Sequence, residues 1–68
     1  MGQDEAIELC DEILSELDEL PDRAGDFADS VREKVESIQA FAEERGYITE
    51  AQADALLNMQ RGVQRWRR

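Results

Sequence analysis

Histidine is missing from this chain altogether, and cysteine, proline, tryptophan and tyrosine occur once each. Without histidine there is no side chain whose ordinary pKa lies near neutrality. The commonest transition-metal ligand and the Glu-x-x-His motif of di-iron bundles are missing too. One cysteine, Cys10, cannot form an internal disulfide. The four glycines stand apart at positions 2, 25, 46 and 62, so no glycine-rich phosphate loop is written here, and no D-x-[DN]-x-[DN]-G calcium loop either. Apolar runs are short. None approaches the roughly 18 residues of a membrane span, and "MGQDEAIELC" has neither the basic start nor the apolar stretch of a signal peptide. "MGQDEA" also lacks the Ser or Thr of a myristoylation signal. A reducing, cytoplasmic setting is expected, with no membrane partner and no cofactor.

Positive charge is scarce as well. There are 17 acids against 8 bases, for a net charge of −9, and Lys34 is the single lysine. The imbalance is local: 15 of the acids and only three of the bases fall in residues 1–44. Such a surface repels duplex nucleic acid, so direct duplex binding is not expected. The C-terminal stretch is the reverse, closing on "RGVQRWRR" with the only tryptophan.

What the chain does have is apolar spacing. Ala6, Cys10, Ile13, Leu17 and Leu20 step by 4, 3, 4 and 3, which predicts a helix over about 3–20. Ile7 and Leu14 widen its stripe and Leu9 falls off it. Pro21 stops it. Ala24, Ala28, Val31, Val35, Ile38 and Ala42 predict a second helix over 22–45, flanked by Phe27 and Phe41. Asp22 is its expected N-cap, with Asp26 in competition because Gly25 weakens the turn between them. Gly46 suits the left-handed position beyond its end. Thr49 and Gln52 then form a T-x-x-Q capping box, with Ile48 as staple, and Leu56, Met59, Val63 and Trp66 carry a third helix over 50–66.

Three helices with short connections favour an all-α, up-down-up three-helix bundle in one domain, 1–68. Sixty-eight residues build a small core, so a homo-oligomer is a natural complement. The alternative arrangement is a hairpin of the first two helices pairing with a second copy, leaving the third as an arm. In the bundle, Arg61, Arg65, Arg67 and Arg68 should approach Asp18, Glu19, Asp22 and Asp26, carboxylates set against the dipole of helix 1. Trp66 should cover the end of the core, or grip a partner together with Arg67 and Arg68.

Catalysis has little to work with. Cys10 sits on the seam with no His or Lys beside it, and Ser15, Ser30, Ser37, Thr49 and Tyr47 are not arranged with a base. Carboxylates on a solvated face lack the burial that general acid–base work needs. The expected role is therefore non-enzymatic, through protein–protein contacts. An acidic helix face is usually a solvated one. The sharper reading makes Glu8, Asp11, Glu12 and Asp18 a decoy that fills a basic nucleic-acid-binding groove. A third reading docks a partner through an exposed part of the apolar seam.

The stretch "ITEAQADALLNMQRGVQRW" (48–66), through Thr49, Gln52, Ala55, Leu56, Asn58, Met59, Gly62, Val63 and Trp66, resembles the ending of small uncharacterised acidic helical proteins of bacteria and phages. That resemblance implies no catalytic residue. Small acidic phage proteins often inhibit host nucleic-acid machinery, anti-CRISPR proteins among them, which by association favours the decoy.

Overall fold

The computed structural model describes residues 1–67, and Arg68 lies outside them. Three α-helices follow one another: α1 Gln3–Leu17, α2 Gly25–Arg45 and α3 Glu50–Arg67. A single 3₁₀ turn, Asp22–Ala24, leads into α2. Together they form the up-down-up bundle, 35 Å long and 16 Å across. Cross-helix bonds show the directions. Gln39 bonds Asp11 and Arg32 bonds Asp18, so seven residues up α1 correspond to seven residues down α2. Gln60 bonds Glu12 near mid-bundle and Arg67 bonds Glu16 near its end, so α3 runs parallel to α1. Helix 3 is therefore packed along its length, which overturns the free-arm arrangement.

The expected stripes become the core. Ala6, Cys10, Ile13 and Leu17 of α1 meet Val31, Val35, Ile38 and Ala42 of α2 and Leu56 and Val63 of α3, with Ala24 and Ile48 buried at the connections. No polar side chain is buried among the described residues. Leu9, expected off the stripe, is half-buried against this core. The reason is that α1 contacts both other helices, so its apolar face is wider than a single seam.

The helix ends depart from expectation on one side of the molecule. Helix α1 stops at Leu17 rather than near residue 20, and the chain closes with tighter bonds from the Glu19 and Leu20 amides to the Glu16 and Leu17 carbonyls. Pro21 clashes with a helical Leu20, and Asp18 and Glu19 oppose the dipole, so the last turn is not worth completing as α-helix. Neither Asp22 nor Asp26 acts as an N-cap. Pro21 occupies the cap position of the 3₁₀ turn and Ala24 that of α2, without side-chain bonds. The Pro21 carbonyl takes the Ala24 amide at 2.9 Å, so the turn closes on its own backbone, and Asp22 simply sits at its positive end.

The other corner follows local chemistry. Gly46 is left-handed (φ 81°), and its amide bonds the Ala42 carbonyl at 2.8 Å. The Thr49 amide donates to Gln52 Oε1 at 2.9 Å, and the Gln52 amide donates to Thr49 Oγ1 at 3.1 Å, completing the capping box. The Ile48 amide donates to the Met1 carbonyl at 3.1 Å, which pins the N-terminus to this corner. No helix among the described residues is long and apolar enough to cross a membrane.

Candidate functional site

The basic end is built by the last two turns of α3. Trp66 is half-buried and lies 6.1 Å from Phe27, centroid to centroid, at a tilt of 38°. Arg23 stands over the indole at 5.7 Å, a cation–π contact the sequence reading missed because Arg23 precedes α2. Gly62 makes the packing possible: a Cβ there would meet Phe27 Cζ at 3.0 Å. Trp66 thus rests on Phe27, which itself packs against the core. Arg67 reaches Glu16 at 3.3 Å and Glu19 at 3.4 Å, so one of the expected carboxylates is gripped and one is new. Asp18 is held instead by Arg32 across α1 and α2, at 3.2 Å. Among the described residues Arg61 and Arg65 make no ion pair, and Asp22 and Asp26 make none either. The expected cluster therefore shrinks to Arg67 with Glu16 and Glu19. Arg68 falls outside the described residues.

Glu8, Asp11, Glu12 and Asp18 are all exposed; the first three lie on the outer side of α1, and Asp18 stands at its C-terminal cap. Three are engaged at home. Asp11 accepts from Gln39 at 2.9 Å, Glu12 accepts from Gln60 at 3.4 Å, and Asp18 faces Arg32. These links hold Asp11 and Asp18 on the α2 side of α1 and Glu12 on its α3 side. Cys10 is fully buried, and burial first, then the charge of Asp11, pushes its thiol above the ordinary range. That favours an unreactive packing role. Among the described residues no three His, Cys, Asp or Glu side chains converge on a point that could hold a metal.

A further site emerges between α2 and α3, the two helices that touch least. On α2, Phe27, Lys34 and Phe41 follow one another at intervals of seven, along the edge that faces α3. The aromatic positions close the seam at both ends, Phe27 with Trp66 and Phe41 edge-on to Tyr47 at 5.8 Å. Where lysine takes the middle place the seam opens into a cleft of about 440 Å³, with Ile38, Ala55 and Met59 as its floor and Lys34, Ser37 and Asn58 along its rim. Lys34 has Ser30, Val31, Ser37 and Ile38 as helical neighbours, so no acid of its own helix face pairs with it. Among the described residues it joins no ion pair. The signal was present in the sequence as a lone lysine in an aromatic register.

Compared with known proteins, no family model matches the chain, and no curated protein or solved structure matches it significantly.

Proposed function

We propose that this chain is a non-enzymatic interaction module, working in a reducing, cytoplasmic compartment, that binds a partner protein through the α2–α3 cleft. The cleft itself carries the reading: an apolar floor beside an ammonium that has no carboxylate partner among the described residues. Its complement is an amphipathic helix that offers one large apolar side chain to Ile38, Ala55 and Met59 and a carboxylate to Lys34. The buried thiol of Cys10 and the solvated carboxylates of α1 support a role without catalysis.

A second reading takes the acidic face as the contact. Its support is the exposed carboxylates along α1 and at its end, three of them tethered by Gln39, Gln60 and Arg32, together with the resemblance to small phage and bacterial proteins. Here the chain is an inhibitor that fills a basic nucleic-acid-binding groove.

One experiment separates the two. A photo-crosslinking residue replaces either Asn58 at the cleft or Glu8 on the acidic face, and adducts formed in the host cell are identified. The cleft reading expects an adduct from position 58 that disappears when Ala55→Trp fills the cleft. Adducts from position 8 alone, with a nucleic-acid-binding protein, favour the inhibitor. In that case neutralising Glu8, Asp11, Glu12 and Asp18 together should abolish binding. No adduct from either position removes both.

A further inference from the structure

The outward side of α3, away from the cleft, carries a pattern that the bundle does not use. Glu50, Asp54, Leu57, Arg61 and Arg65 step by 4, 3, 4 and 4, so they form one strip along the helix, and all five are exposed. Leu57 is one of the three large apolar side chains left in solvent, 43% exposed at the middle of the strip. Read along the helix the strip runs acid, acid, leucine, base, base. We propose that it docks against the same strip of a second copy of this chain, in antiparallel orientation.

Antiparallel pairing about a two-fold axis near Leu57 sets Glu50 against the partner's Arg65 and Asp54 against the partner's Arg61. Symmetry then repeats both pairs, so four ion pairs flank a leucine–leucine contact. A parallel pair would set acid against acid and base against base. A two-fold interface must be self-complementary, and this strip meets that condition because its charges change sign about its centre.

Within one chain the same residues are poorly served. Glu50 and Asp54 are like charges four apart, as are Arg61 and Arg65, and such pairs destabilise a lone helix. No residue three or four positions away from any of them carries the opposite charge. Among the described residues none of the four takes part in an ion pair. The helix dipole accounts for Glu50 and Arg65, but its influence fades within the terminal turns, short of Asp54 and Arg61, and it gives no reason to expose Leu57. The chain carries −9 overall, yet this strip holds two charges of each sign, so it is a surface where two copies meet without net repulsion. One helix on one helix is a small interface, and the dimer is therefore weak and concentration-dependent.

The test is sedimentation of three chains: the native one, a basic one (Glu50→Lys with Asp54→Lys) and an acidic one (Arg61→Glu with Arg65→Glu). The native mass should rise towards two chains as concentration is raised to about 1 mM. Each charge-altered chain alone should stay a monomer. An equimolar mixture of the two should pair, because every contact across the strip is then complementary; that pairing also shows that both variants fold. Leu57→Asp should prevent pairing in every background. A native mass that stays monomeric, altered chains that each dimerise as the native one does, or a mixture that fails to pair would overturn the proposal. The strip borders the cleft at Asn58 but shares no residue with it, so loss of the dimer leaves the cleft reading standing, and Ala55→Trp leaves the dimer intact.

Discussion

The Phe27 ring closes the space where a Cβ of residue 62 would stand, and it lies tilted at 38° to Trp66. A glycine inside a helix costs about 1 kcal/mol relative to alanine. Here the close approach of a ring offsets that cost, because a methyl group at 62 would stand 3.0 Å from Phe27 Cζ. Gly62→Ala should therefore gain far less than the helix-forming preference promises. In a Phe27→Leu background the same change should recover most of that gain. Chemical denaturation of the four chains in the cycle measures it, and a full gain in the native background would mean that Phe27 gives way freely. Cys10 supplies a second residue-scale prediction. Its thiol is raised in the folded chain by burial and by Asp11, so the unfolded chain loses its proton first as pH rises. Stability attributable to Cys10 is complete below the unfolded thiol's range and should decline as pH climbs from there towards the folded value. Melting temperatures at alkaline pH should show the decline, and Cys10→Ala should remove this component.

Among the elements, α3 begins where its own residues dictate. Both bonds of the Thr49–Gln52 box are present, and Thr49→Ala should cost about 1 kcal/mol by thermal unfolding, whereas Thr49→Ser should cost little. Features of this kind were legible in the sequence because they depend on neighbours within four positions: the box, the left-handed Gly46 and the period of the three stripes. The end of α1 was not, since a proline acts on the residue before it and the acids at 18 and 19 oppose the dipole of the last turn. Pairing Asp18 with Arg32, and Glu16 with Arg67, requires the register between helices, which no single stripe contains. The same limit hid the cleft. Lys34 shares an edge with Phe27 and Phe41, but only packing reveals that α3 touches α1 more extensively than α2.

At the scale of the whole molecule, the bundle is tied at both ends by contacts distant in sequence. At one end Arg67 spans to the largely covered Glu16 and the exposed Glu19, and with the arginine itself about half in solvent each pair is worth about 0–1 kcal/mol. At the other, the Met1 carbonyl takes the amide of Ile48, a residue only 2% exposed. Deleting residues 1–2 would leave that amide without its acceptor and remove the first carbonyl of α1. It should cost about 1–3 kcal/mol in denaturant, well beyond what Arg67→Ala costs. These ties matter because a core of twelve buried side chains among the described residues has little stability to spare. The two aromatic lids have a practical consequence. The single tryptophan reports on the Phe27 end and the single tyrosine on the Phe41 end, positions 14 residues apart on α2 and so roughly 21 Å from each other. Their intrinsic emission can therefore be followed separately during denaturation. Coincident curves would describe a molecule that melts as one body, and displaced curves would reveal which extremity loosens first.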